Sequence, residues 1–278
     1  MKANFKSSQL KSVNVQGEKL VYREVGDATA VPIILLHHIT AVIDDWDPYI
    51  IDKLARERKV IAFDNKGVGA SSGSTPDSIE AMADVAIDFI DKLGFTKVDL
   101  LGYSMGGFIA QIIISRRPEL VRKLILADTG AAGGEGIDRI WDILQESFTY
   151  AEKEQKHPKQ KLFFKSTSES QEAGTQFLKR LSDPFAESDQ AISQEAIQAQ
   201  VKAFITWGKS NDVYTKAISI PTLIVTGDQD EMIPLKNAYD LSTKINDSFL
   251  SVYPNSGHGS IFQYKELFVQ QTNNFLND

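Results

Sequence analysis

The chain has 278 residues, a formal net charge of −7, and 42% hydrophobic and 24% charged residues. This is the balance of a globular protein, and it disfavours nucleic acid and anionic membranes as partners, because both are bound through clustered cations. The absence of cysteine excludes disulfides, thiolate catalysis and cysteine-ligated metals.

In chain order, segments 9–16 and 18–24 read as an antiparallel pair around Gln16-Gly17-Glu18. The apolar run Val31-Pro32-Ile33-Ile34-Leu35-Leu36 then suits a strand buried on both faces of a parallel sheet. Further strands are expected at 59–63, 98–101, 124–127, 222–225 and 249–253. Between 63 and 98, Ile79, Met82, Val85, Ala86, Phe89, Ile90 and Leu93 recur at helical spacing, with Thr75-Pro76 before them and Gly94 after. The helix expected over 104–116 is apolar nearly all round, as one buried against a sheet should be. Strand–helix alternation of this kind predicts a doubly wound α/β sheet. From about Ala131 to Ile218 no strand is expected, and the segment reads as a helical insertion. It opens on Gly130, Gly133, Gly134 and Gly136. An amphipathic helix through Ile137, Ile140, Trp141, Leu144 and Phe148 follows. Residues 1–11 lack the apolar core of a secretory signal, and no run of about 18 apolar residues is present. The default expectation is therefore a cytoplasmic protein.

Gly102-Tyr103-Ser104-Met105-Gly106-Gly107 follows the strand at 98–101 and opens the next helix. A serine in such a sharp strand-to-helix turn is a nucleophile elbow. The backbone is strained, the hydroxyl is presented at the sheet edge, and glycine at 102 and 106 avoids collision between the crossing strand and helix. The helix N-terminus also offers N–H groups where negative charge develops.

A serine hydroxyl needs a base. Of His37, His38, His157 and His258, the last sits directly after the final strand, at the same sheet edge as Ser104. His157 lies in a lysine-rich polar stretch and reads as solvated surface. For the carboxylate that orients the base, Asp230 is chosen from Gly227-Asp228-Gln229-Asp230-Glu231, with Asp228, Glu231 and Asp128 as alternatives. Gly67-Val68-Gly69 followed by Gly73 departs from the G-x-G-x-x-G spacing of a dinucleotide site, with no helix opening at once.

Leu35 to Ile39, Asp45-Trp46-Asp47-Pro48, Phe63 to Ser71, the elbow, Gly227 to Pro234 and Gly257-His258 together resemble the α/β-hydrolase superfamily. The resemblance covers roughly residues 18 to 275. It implies an α/β-hydrolase fold: a mostly parallel eight-stranded sheet with helices on both faces. The core would be residues 1–130 and 219–278, with a helical cap over 131–218, after the sixth strand. It further implies a Ser104–His258–Asp230 triad, in the family's chain order, and oxyanion donors at the Ile39 and Met105 N–H groups. His38 stands where the family usually has glycine. His38, Tyr103 and Trp141 are assigned to the pocket. The cap aromatics, Trp141, Phe148, Phe163, Phe164, Phe177, Phe185, Phe204 and Trp207, would mainly pack the cap on the sheet, two or three of them lining the pocket.

The expected activity is cleavage of an ester or lactone of a small to medium, largely apolar substrate through an acyl-enzyme, with no metal or organic cofactor. Carbon–carbon or thioester hydrolysis and cofactor-free perhydrolase chemistry are alternatives on the same scaffold, and a non-catalytic receptor is a third. Dehalogenases and most epoxide hydrolases carry aspartate where Ser104 stands and are disfavoured. The expected partner is a small molecule; a homodimer stays open, with neither heptad nor exposed patch arguing for it.

Overall fold

In the computed structural model, which describes residues 4–27, 29–182 and 190–278, eight strands form one sheet. They are β1 (Lys11–Val15), β2 (Glu18–Val25), β3 (Ile33–Leu36), β4 (Val60–Phe63), β5 (Val98–Tyr103), β6 (Val121–Ala127), β7 (Thr222–Gly227) and β8 (Ser248–Tyr253). The spatial order is β1-β2-β4-β3-β5-β6-β7-β8, with β1, β2 and β4 paired antiparallel and every other neighbour parallel. β3, β4 and β5 are buried at every residue, as the unbroken apolar sequences of β3 and β4 require when helices cover both faces. β6 starts three residues before the apolar run. Arg122 and Lys123 interrupt that run, but Arg122 reaches Asp99 on β5 at 2.6 and 2.9 Å and Lys123 donates to the Phe275 carbonyl at 2.6 Å.

Helices α1 (Pro48–Leu54), α2 (Ile79–Lys92) and α3 (Met105–Arg116) connect the first strands, and α8 (Lys236–Lys244), α9 (Ser260–Gln263) and α10 (Lys265–Asn277) follow β7 and β8. α1 begins where Asp47 accepts from the Tyr49 N–H at 2.9 Å ahead of Pro48, an N-cap with proline at the first position. α2 is capped by Ser78, which accepts from Ala81 N–H.

Between β6 and β7 the described residues hold no strand, only α4 (Ile140–Glu154), α5 (Pro158–Phe163), α6 (Ser168–Leu181), α7 (Gln194–Lys209) and two short 3-10 turns. Phe204 and Trp207 of α7 pack on Phe108 of α3 with ring centroids 4.8 and 5.1 Å away, and Phe177 of α6 stacks on Phe262 of α9 at 4.4 Å. Two ion pairs tie the same segment to the loops around α1: Arg180 grips the wholly buried Asp47 carboxylate through both oxygens, and Lys159 pairs with Asp45. Phe185 lies outside the described residues. Trp141 and Phe148 face solvent, 45% and 49% exposed. The packed stripe of α4 is instead Ile140, Leu144 and Ser147, continuing Ile137. Trp141 and Phe148 sit one residue beyond that stripe, about 100° round the helix.

β3 pairs with both β4 and β5, so successive connections leave it in opposite directions. The carboxyl ends of β3 and β5 flank the switch point at which open α/β sheets bind ligands.

Candidate active site

Ser104 joins β5 to α3 with φ 55° and ψ −119°, outside the regions that side chains ordinarily allow. The turn can be this sharp because three glycines let backbones touch. A β-carbon on Gly102 would lie 2.6 Å from the Gly107 α-carbon, and one on Gly106 2.0 Å from the Leu36 carbonyl oxygen. One on Gly107 would lie 2.4 Å from the Thr129 hydroxyl, a close approach that the G-x-S-x-G pattern does not announce. Thr129 in turn donates to the Ser104 carbonyl at 2.7 Å.

His258 follows β8 and is wholly buried. Its Nε2 lies 2.9 Å from Ser104 Oγ and its Nδ1 2.7 Å from Asp230 Oδ2. The other Asp230 oxygen accepts from the Met232 and Ile233 N–H groups at 2.8 and 3.0 Å, which fixes the carboxylate. Behind the imidazole, the Tyr103 hydroxyl donates to the His258 carbonyl at 2.7 Å. Gly227 admits the loop: a β-carbon there would meet the Ser256 and Gly257 carbonyl oxygens at 2.4 Å.

The other acids are held elsewhere. Asp228 accepts from Ser256 N–H, and Glu231 pairs with Lys161 and Lys165 at the surface. Asp128 accepts from Gly227 N–H at 3.1 Å and Ser260 Oγ at 2.7 Å. Burial, and then the nearby Asp230 charge, raise the Asp128 carboxyl well above the usual carboxylate range. Burial likewise raises the Tyr103 phenol.

The Ile39 and Met105 N–H groups donate to no protein acceptor among the described residues. For Met105 this follows from its place as the first residue of α3. His37 donates to the Phe63 carbonyl, and His157, exposed as expected, also caps α5 by accepting from Lys159 N–H at 3.1 Å. His38 is 5% exposed, its ring held edge-on to Tyr103 and Phe163 at 5.4 and 5.2 Å. Burial, with a contribution from the Lys159 ammonium, pushes its pKa down to about 3, so it is neutral.

Phe163 of α5 closes the site from above. Its ring lies 5.8 Å from that of His258, and its carbonyl accepts from Gly259 N–H at 2.9 Å. A cavity of about 20 Å³ lies beside the site, lined by Leu36, His38, Ala41, Met105, Ile109 and Gln200 among others. A larger groove of about 340 Å³ runs past Gly257 between Phe164, Lys161 and Lys165. Trp141 lines neither. Among the described residues no group of histidine and acidic side chains could hold a metal, and no helix is long and apolar enough to cross a membrane.

The chain resembles a 2-hydroxymuconate semialdehyde hydrolase of Pseudomonas sp. (strain CF600), 26% identical over 88% of this chain and 86% of that protein. It is also similar to a 2-hydroxy-6-oxononadienedioate/2-hydroxy-6-oxononatrienedioate hydrolase of Klebsiella pneumoniae, 30% identical over 88% of this chain and 86% of that one. Among solved structures, an alpha/beta hydrolase fold protein from Chitinophaga pinensis superposes with a TM-score of 0.94 at 36% identity, covering 99% of this chain and 100% of that chain. The sequence profile of the alpha/beta hydrolase fold matches residues 31–263. With that match spanning most of its length and the sheet built as described, this chain belongs to the α/β-hydrolase family and is a hydrolase.

Proposed function

We propose that the protein is a serine hydrolase that cleaves an ester or lactone of a small to medium, uncharged, largely apolar substrate through an acyl-enzyme on Ser104. The observation that carries this reading is the continuous chain Ser104 Oγ–His258–Asp230, at 2.9 and 2.7 Å. Such a chain makes His258 the base that removes the serine proton as Oγ attacks the carbonyl carbon, while Asp230 fixes the tautomer and stabilises the imidazolium. The unpartnered Ile39 and Met105 N–H groups are the donors for the tetrahedral oxyanion, each worth about 3 kcal/mol of transition-state stabilisation. His258 then passes its proton to the leaving alcohol. In the second half it takes a proton from the water that attacks the acyl carbon, and returns that proton to Ser104 Oγ as the bond from the acyl carbon to Oγ breaks and the acid leaves.

Carbon–carbon bond hydrolysis is the second reading. The names of the Pseudomonas and Klebsiella relatives, both of which act on 2-hydroxy oxo compounds, favour it. The two readings differ in the leaving group, which is a carbanion equivalent in one and an alkoxide in the other.

Hydrolysis of a p-nitrophenyl ester series of increasing acyl length, with Ser104→Ala as control, tests the proposal. Turnover that depends on Ser104 is expected, and the preferred length sizes the pocket. Retained hydrolysis in the variant overturns the mechanism. No turnover in the native protein shifts the reading to carbon–carbon cleavage.

A further inference from the structure

His38 replaces the glycine expected in the loop after β3, and its surroundings leave one atom unexplained. Its Nδ1 lies 2.6 Å from the Ile39 carbonyl oxygen. A carbonyl only accepts, so Nδ1 carries the proton, and in the neutral ring Nε2 is then a pure acceptor. That Nε2 is buried and has no hydrogen-bond partner in the protein. A buried acceptor without a donor is costly, and such an atom marks either strain or a missing ligand group.

Gln200 of α7 faces the same cavity. Its Oε1 accepts from the Thr40 N–H at 2.7 Å. Since the backbone N–H demands an oxygen, the amide orientation is settled and the NH₂ points away from Thr40. That NH₂ donates to no protein group among the described residues. His38 and Gln200 thus line one space of about 20 Å³, the room one water-sized group takes up. Much of the remaining wall is carbon, from Leu36, Ala41, Met105 and Ile109.

Resting on the serine-hydrolase reading, we propose that His38 and Gln200 form a hydroxyl-recognition subsite, so that the preferred substrate bears a hydroxyl close to the carbonyl attacked by Ser104. A hydroxyl is the small group that donates and accepts through one atom, giving to His38 Nε2 and receiving from the Gln200 NH₂. A carboxylate or ketone oxygen offers no donor to Nε2, and an ammonium offers no acceptor to the amide. The subsite adjoins the reacting centre because Met105, whose N–H faces the oxyanion, lines the same cavity and His38 precedes the second donor, Ile39.

The test is a matched pair, ethyl 2-hydroxybutanoate against ethyl butanoate, measured as the ratio of kcat/KM in the native protein, His38→Phe and Gln200→Met. The phenyl ring keeps the edge-on packing with Tyr103 and Phe163 while removing the acceptor. The native ratio is expected to favour the hydroxy ester by roughly tenfold or more, because an analogue lacking the hydroxyl leaves the buried His38 Nε2 unpaired. It should fall towards one in each variant. A native ratio near one, or a preference that survives in both variants, overturns the subsite and leaves the hydrolase reading standing. If neither ester is turned over by the native protein, the acyl-transfer reading falls and this one with it.

Discussion

A β-carbon on Gly106 would sit 2.0 Å from the Leu36 carbonyl oxygen, so helix α3 and strand β3 meet backbone to backbone beside Ser104. Neither backbone can retreat without moving the Met105 N–H or the loop that carries Ile39. Gly106→Ala is therefore expected to destabilise the fold by about 1–3 kcal/mol, the range for forced overpacking, and to lower kcat more than it raises KM. Urea unfolding and ester kinetics on the purified variant check both. An unchanged unfolding midpoint would mean that the contact relaxes without cost.

Substitutions in the hydrogen-bonded chain should separate chemistry from folding. Ser104→Ala removes the oxygen proposed to attack the substrate and should leave no measurable turnover with a melting temperature close to native. Asp230→Asn keeps the shape but lets the imidazole adopt the wrong tautomer, and by analogy with serine proteases it should lower kcat by about 10⁴-fold. Single-turnover kinetics read these losses directly. Should Asp128→Asn match Asp230→Asn in kcat, the assignment of the orienting acid changes.

Arg180 and Asp47 link the helical segment to the core, with contacts of 2.6 and 3.0 Å onto a wholly buried carboxylate. Arg180→Ala strands that charge and is expected to lower stability by about 2–3 kcal/mol. Pairing it with Asp47→Asn should recover part of the loss. The four unfolding free energies of the double-mutant cycle measure the coupling, and simple additivity would show that the pair contributes nothing.

The neutral His38 makes stability depend on pH in a definite direction. Its pKa is about 3 when folded, against an ordinary value of 6.5. Between those values the unfolded chain binds a proton that the folded one refuses. The full contribution is present above pH 6.5 and is lost as pH falls towards 3, at up to about 1.4 kcal/mol per unit. Urea midpoints at pH 7 and pH 5 should therefore drop further in the native protein than in His38→Phe. Comparing the two cancels the response of other groups such as Asp128. Parallel pH profiles would refute the claim.

The centre of the sheet is legible because strands such as Ile33–Leu36 and Val60–Phe63 are unbroken apolar runs that admit few other readings. β6 was cut short in the sequence by Arg122 and Lys123, whose partners lie on β5 and α10 and leave no local mark. The elbow was readable because Ser104 and its glycines are neighbours in the chain. The choice of carboxylate was not, since Asp228, Asp230 and Glu231 sit within four residues and only the position of the His258 loop distinguishes them. The ion pairs of Arg180 and Lys159 join residues more than a hundred positions apart, beyond any periodicity. Trp141 is hard to place from sequence because a hydrophobic residue one position off the packed stripe of α4 looks like part of it.

Ser104 and His258 meet across 154 positions of sequence, one on a central strand's turn and the other just past the sheet's last strand. In the folded sheet β6 and β7 lie between β5, which carries Ser104, and β8, which carries the His258 loop, so the pair forms only where all four strands are in register. Enzymatic activity in this chain thus reports the assembly of the sheet from β5 to β8. During refolding, turnover should lag behind the return of helical signal, and the lag measures how long the C-terminal strands take to find their register.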